Sequence, residues 1–214
     1  HTISQCVLVV GAGELDWTAW YRLFNQQRVR MPVLYRQVVG RLLAELGPDD
    51  PLIVTLDATQ LPRSSRRFPG VGWTRSFRSP HWMPGLHLSQ RISIMSGLLP
   101  LGAGGYSRTV PIREQLLLSA RSRPVPSVPC QTEAVAGVRQ LRWLRMLLTL
   151  GFANERDRPL LVLADGAYSV ADVLRRLPRA CTLVARCAKN RALFALPEPQ
   201  PGRGRKRLYG PQGP

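Results

Sequence analysis

Two short apolar runs of the same form, each closed by an aspartate, stand out in the pattern of hydrophobic and polar positions. Residues 52–56 read LIVTL and precede Asp57, while residues 160–164 read LLVLA and precede Asp165. Short continuous apolar runs bounded by turn-forming residues are typical of buried strands. We therefore predict two buried strands, each with a carboxylate at its C-terminal end.

Apolar positions spaced three and four residues apart predict helices elsewhere in the chain. Residues 15–46 carry this period in two stretches, with Asp16 as the expected N-cap of the first helix and Pro32 at the start of the second. The same spacing predicts a long helix over 132–150 and a short one over 170–177. The N-terminal part is therefore expected to form a helical hairpin with a packing or docking role.

Strand-like segments complete the predicted order. Residues 91–101 and 106–118 flank a glycine-rich turn and predict a β-hairpin, and 182–187 predicts a last strand. Residues 58–84 are predicted to be a long loop that is either functional or flexible. The order is strand, strand, strand, helix, strand, helix, strand, which indicates an α/β fold with a mixed sheet and flanking helices. An RNase H-like sheet has this order.

The domain organisation predicted from these elements has three parts. Residues 1–48 form a helical segment, 49–196 a partial RNase H-like core, and 197–214 a basic tail rich in Gly, Pro and Arg. The chain lacks an initiator Met and ends in a Gly/Pro-rich stretch, so we expect it to be a piece of a longer protein, with the fold incomplete at its C-terminus.

The charge of the chain indicates a polyanionic partner. Thirty basic residues face 13 acidic ones, for a net charge of +17, and all but two of the basic residues are arginine. The planar guanidinium grips phosphate oxygens with two parallel hydrogen bonds, which suits a nucleic-acid backbone. No apolar run reaches the roughly 18 residues of a membrane span. The four cysteines show no zinc-ligand or redox spacing, and we expect a cytoplasmic protein.

Asp57 and Asp165 are the two acidic residues that follow apolar strands, where open α/β sheets commonly place ligand sites. Carboxylates at the same end of adjacent strands can bind divalent ions, and oxygen ligands suit Mg²⁺ or Mn²⁺. A pair of such ions supports phosphodiester cleavage by activating the attacking oxygen and stabilising the leaving one. The alternative is structural, because a strand-end Asp also caps turns and helices, and Asp165 precedes a glycine.

Several motifs resemble the DDE-type transposases of bacterial insertion sequences, which are endonucleases of the DDE superfamily. They are the segments LDAT at 56–59, LPR at 61–63, PGVGW at 69–73, ADGAY at 164–168, LVAR at 183–186 and GRGRKRLYG at 202–210. The resemblance implies an RNase H-like fold, with Asp57 and Asp165 as ligands of a two-metal site. It also implies nicking of transposon ends and transfer of the freed 3′-hydroxyl into target DNA, in a bacterial cytoplasm and at the nucleoid when DNA is bound.

The family pattern includes a third acidic ligand, a Glu on a helix after the last strand, and this sequence departs from it. After residue 187 the chain offers Glu198, which is flanked by prolines and poorly placed to hold a metal. We expect the third ligand downstream of Pro214, and we expect the 214 residues alone to be an inactive or very slow nuclease.

Basic residues in two places are candidates for binding DNA phosphates. A homodimer in the DNA complex is compatible with the resemblance. Trp73, Trp82 and Phe77 in the same loop as the first group can stack on an unpaired base or pack the loop on the sheet. Two other functions stay open: a catalytically silent nucleic-acid-binding scaffold, and another RNase H-like nuclease. The candidate DNA-binding residues are Arg63, Arg66, Arg67, Lys189, Arg203, Arg205, Lys206 and Arg207.

Overall fold

A computed structural model of the chain describes residues 3–26, 30–76, 79–80, 82–83, 85–99, 108–187, 192, 194–195, 197–199, 202 and 210–211. The elements are α1 (Ile3–Val9), α2 (Trp17–Asn25), α3 (Met31–Ala44), β1 (Leu52–Pro62), β2 (Gly72–Arg75), β3 (Leu86–Leu99), β4 (Arg108–Leu117), α4 (Glu133–Gly151), β5 (Leu160–Ala164), α5 (Ala171–Leu174) and β6 (Cys181–Ala185). A 3₁₀ turn, Gly166–Tyr168, joins β5 to the segment before α5.

The six strands form one mixed sheet curled into a half-barrel, in the order β2-β3-β1-β5-β6, with β4 also paired to β3. β1, β2 and β4 run antiparallel to β3, whereas β1, β5 and β6 run parallel to one another. The long strand β3 pairs with β2 near its start and with β4 further along. The predicted mixed α/β sheet with flanking helices, of RNase H-like type, is confirmed.

The core lies between one face of the sheet and the helices α3 and α4. Alternate residues of β1, namely Leu52, Val54 and Leu56, are at most 2% exposed, as expected where successive side chains point to opposite faces. Leu141 and Leu144 of α4 belong to the same cluster, to which α3 also contributes. Burying one such leucine stabilises the fold by roughly 1.5–3 kcal/mol. This packing fixes α4 across the strands that carry the two aspartates.

A buried arginine ties the starts of the two aspartate-bearing strands together. Arg158, two residues before β5, forms an ion pair with Glu155 and donates to the carbonyl oxygens of Gly47 (2.9 Å) and Asp50 (2.5 Å) in the loop before β1. The amide of Leu52 donates to the carbonyl of Pro159 at 2.9 Å. These contacts set the parallel register of β1 and β5.

The structure corrects the predicted limits of several elements. The segment 58–84, predicted as a loop, contains the second half of β1 and all of β2. The strand at its start continues because Ala58 to Pro62 pair with β3. The helix predicted over 170–177 is only Ala171–Leu174, and α1 was not predicted. The predicted helices in 15–46 and 132–150 and the hairpin strands are present, whereas the hairpin's turn at 102–105 lies outside the described residues.

Candidate metal centre

Asp57 and Asp165 lie side by side where the pairing of β1 with β5 ends. The last paired residues are Leu56 and Ala164, so the two aspartates are the next residues of neighbouring parallel strands. The sequence analysis placed Asp57 at the C-terminal end of its strand. The structure corrects this, because β1 continues along β3 to Pro62. Both carboxylates are exposed. The sheet thus brings together the two residues that the sequence singled out.

Local backbone contacts hold one oxygen of each aspartate. Oδ1 of Asp57 accepts from the amide of Ala58 at 2.7 Å, and Oδ1 of Asp165 accepts from the amide of Ala167 at 2.9 Å. Asp165 is therefore the N-cap of the 3₁₀ turn, which is the structural role open to it from its sequence. Within the described residues, Oδ2 of each aspartate accepts no hydrogen bond, and it remains free to bind another group.

A third carboxylate, Glu133, completes the cluster. One oxygen from each of Asp57, Glu133 and Asp165 lies within 4.8 Å of the other two. Glu133 is the first residue of α4, whose N-cap Thr132 accepts through its side chain from the amide of Val135 at 3.3 Å. Unlike the aspartates, Glu133 is buried, at 8% exposure. The sequence analysis did not select it, although it is the single acidic residue of this long helix.

The charge of Glu133 is balanced by Arg91 of β3, with which it forms an ion pair. Burial raises the pKa of the Glu133 carboxyl above its ordinary value, Arg91 opposes that rise, and the nearby Asp165 and Asp57 add to it. Carboxylates that lie close together repel one another and hold protons more tightly. Bringing an acidic helix residue beside two aspartates costs free energy, so an added cation is favourable at this position.

The buried side chain of Tyr168 lies next to the carboxylate cluster. Its side chain is fully buried, and its hydroxyl lies 3.4 Å from Oγ of Ser93, which in turn is 3.3 Å from Oε1 of Gln140 on α4. Burial chiefly raises the pKa of the Tyr168 phenol, with Glu133 and Asp165 contributing, so it is neutral at physiological pH. The ring packs where α4 has Gly137, since a Cβ there would overlap it. The absence of a side chain at Gly137 thus lets α4 pack directly on Tyr168, three residues after Asp165.

The donor set fits a hard divalent cation. Oxygens bound to one ion at about 2.1 Å lie at most about 4.2 Å apart, and those bound at about 2.4 Å at most about 4.8 Å apart. The carboxylate oxygens are already within 4.8 Å of one another, so small side-chain rotations suffice. Carboxylates without nitrogen or sulfur donors favour Mg²⁺, Ca²⁺ or Mn²⁺ over softer metals.

The predicted DNA-binding residues fall into two groups: three arginines that the structure describes, and five residues that lie outside the described part of the chain. Arg63 is half-buried, with its Nε donating to Gln90 at 2.8 Å and its guanidinium 5.3 Å from the Phe68 ring centroid. Arg66 and Arg67 are exposed, and the guanidinium of Arg66 lies 5.4 Å from the Trp73 ring centroid. Glu198 is exposed and outside the acidic cluster. Lys189, Arg203, Arg205, Lys206 and Arg207 lie outside the described residues.

Across the described ranges, no helix is both long and apolar enough to cross a membrane.

The sequence profile of a family described as DDE superfamily endonuclease matches residues 2–214. A search of curated proteins finds no relative with significant similarity. The family match covers the three carboxylates and all of the described strands and helices.

Proposed function

Because the chain belongs to the DDE superfamily endonucleases, we propose that it cuts DNA with the help of divalent ions held by Asp57, Asp165 and Glu133. The observation that carries the proposal is the meeting of these three carboxylates at the point where β1 and β5 separate. A purely structural cap would explain Asp165 alone. It would not explain a second exposed carboxylate and a third, buried one within 4.8 Å.

The residues of the chain have separate tasks in this reaction. Asp57 and Asp165 supply exposed oxygens, and Glu133 supplies a buried one held in place by α4 and Arg91. Bound Mg²⁺ or Mn²⁺, as a pair in the proposed site, would lower the pKa of the attacking water and neutralise charge on the phosphate. The arginines beyond Asp57 hold the DNA strand. A further acidic ligand beyond Pro214 stays a prediction, as do the division into parts at residues 48 and 196 and a homodimer on DNA.

The reaction proposed in finer detail is that of a transposase: hydrolysis at a transposon end, followed by attack of the freed 3′-hydroxyl on target DNA. The resemblance of the motifs around Asp57 and Asp165 to transposases of bacterial insertion sequences supports it. In each step a P–O bond forms to the attacking oxygen as another breaks to the leaving oxygen, so both use the same site.

Nicking of supercoiled DNA tests the proposed nuclease. We expect slow, Mn²⁺-dependent nicking that stops in EDTA and leaves 3′-hydroxyl ends that a polymerase can extend. Nicking that persists in EDTA, or that the Asp57→Asn protein performs as fast as the wild type, would contradict the proposal. Binding of DNA with no cleavage and no metal binding would favour the silent scaffold instead.

The arginines of the loop between β1 and β2 should contribute to DNA affinity through phosphate contacts. Each contact makes the slope of log affinity against log salt more negative by roughly 0.9. The double variant Arg66→Gln/Arg67→Gln should therefore bind duplex DNA more weakly, with a slope that is less negative by about 1.8. The matched control is Arg41→Gln/Arg156→Gln, which removes the same charge from exposed sites outside this loop. Equal slopes for the two double variants would show that the loop arginines do not contact phosphates.

A further inference from the structure

A cavity of about 890 Å³ adjoins the carboxylate cluster. It opens where β3 changes partner, between the end of its pairing with β2 at Ser89 and the start of its pairing with β4 at Arg91. Glu133 and Ala167 form its wall on the side of the carboxylates, and Trp73 of β2 forms another part of its lining. One continuous space thus joins the candidate metal centre to an aromatic side chain.

The side chain of Trp73 is unusually exposed to solvent for a residue on a paired strand. It is 53% exposed although β2 is hydrogen-bonded to β3 along its length. The guanidinium of Arg66 lies 5.4 Å from its ring centroid, so the indole carries a cation on one side while remaining open to solvent. An indole face of this kind stacks well on another flat ring, and every nucleobase has such a face.

The walls also contain polar groups that lack partners. Gln131 and Arg91 both line the cavity. The buried Nε2 of Gln131 and the buried Nε of Arg91 have no hydrogen-bond partner among the described residues. Native proteins seldom leave such groups unsatisfied, so each of them calls for an explanation. Gln60 donates to the carbonyl of Arg75 at 3.1 Å, which leaves its side-chain oxygen as an acceptor. Donors and acceptors therefore surround the space beside the indole.

We propose that this cavity binds one unpaired nucleobase of the DNA strand being cut, stacked on Trp73 beside the metal centre. The inference rests on the proposed nuclease function and adds a substrate class to it: DNA with a base that is out of the helix next to the scissile phosphate. A paired base is stacked on both sides and cannot enter. Extruding it costs a few kcal/mol, least where it is mismatched or unpaired, so the cavity selects such sites.

The test measures binding in EDTA, so that no cleavage occurs. Short duplexes with one unpaired 2-aminopurine are compared with fully paired duplexes, by anisotropy for affinity and by 2-aminopurine emission for stacking. The wild-type protein should prefer the unpaired duplex roughly ten-fold, as expected for one stacked base, and should quench its emission. Trp73→Ala should remove both effects, and Trp73→Phe should restore part of each. Tyr21→Ala, at an exposed aromatic side chain of α2 outside the cavity lining, is the matched control and should behave as wild type.

Equal binding of the two duplexes by the wild type, or an unchanged preference and quenching in Trp73→Ala, would overturn the proposal. Loss of both effects in Tyr21→Ala as well would also overturn it. Because the measurement needs neither metal nor cleavage, it fails separately from the nuclease proposal. A protein that selects the unpaired base but never nicks DNA refutes the nuclease alone, and one that nicks without this selection refutes the cavity alone.

Discussion

Asp57→Asn and Asp165→Asn should each slow Mn²⁺-dependent nicking by at least roughly 100-fold, because loss of residues that merely support metal ligands already costs about 10–100-fold. Asparagine keeps the side-chain oxygen that accepts from the following amides, and it caps turns as well as aspartate does. The change therefore removes charge with little loss of local structure. The rate of appearance of nicked circles measures the effect.

The controls for this result use carboxylates of different placement. Asp172→Asn removes an exposed aspartate of α5 that is outside the cluster and should nick at the wild-type rate. Glu133→Gln should also slow nicking, but it leaves Arg91 without its buried counter-charge, so its folded fraction must be measured alongside. Nicking by either Asp57→Asn or Asp165→Asn at the rate of Asp172→Asn would show that the aspartate concerned is structural.

Gly137→Ala should lower the free energy of unfolding by up to about 2 kcal/mol, although alanine is the better helix former. The helix gains about 1 kcal/mol from the exchange. Against this, the new methyl overlaps the buried Tyr168 ring and lies 3.2 Å from Cδ1 of Leu56, and overpacking of this kind costs about 1–3 kcal/mol or more. We expect the steric cost to win, because Tyr168 is fully enclosed and cannot move aside.

Gly40→Ala is the matched control for Gly137→Ala, because Gly40 is also a glycine within a helix. Its new methyl would lie 3.3 Å from Cε1 of Phe152, which is only partly buried and can shift. Urea titrations should therefore show a stability equal to or above that of the wild type. The packing explanation would be wrong if Gly137→Ala were as stable as Gly40→Ala.

The positions of the two aspartates were predictable because the burial of the strands before them is visible in the sequence as two apolar runs. The segments of β1 and β5 that pair with each other are buried on one face and are mostly apolar, and each aspartate is the residue that follows its segment. The runs before Asp57 and Asp165 are therefore visible in the sequence, and the parallel pairing of their strands places them together. The helix before β5 was equally clear from the spacing of its apolar residues.

Glu133 was not predictable on the same grounds. An acidic residue in the first turn of a helix is common, because it interacts favourably with the helix dipole. Only the packing of α4 on the sheet, with Gly137 against Tyr168, brings this carboxylate to the aspartates. Strand β2 was missed for a related reason: four residues, Gly72–Arg75, show too little alternation, and their strand conformation depends on pairing with β3.

The central claim is that the carboxylate cluster binds a divalent cation, and calorimetric titration of Mn²⁺ into the protein tests it most directly. The wild type and Asp172→Asn should bind Mn²⁺ with the same affinity, whereas Asp57→Asn and Asp165→Asn should show little or no heat of binding. Identical titration curves for all four proteins, or no binding by the wild type, would contradict the account.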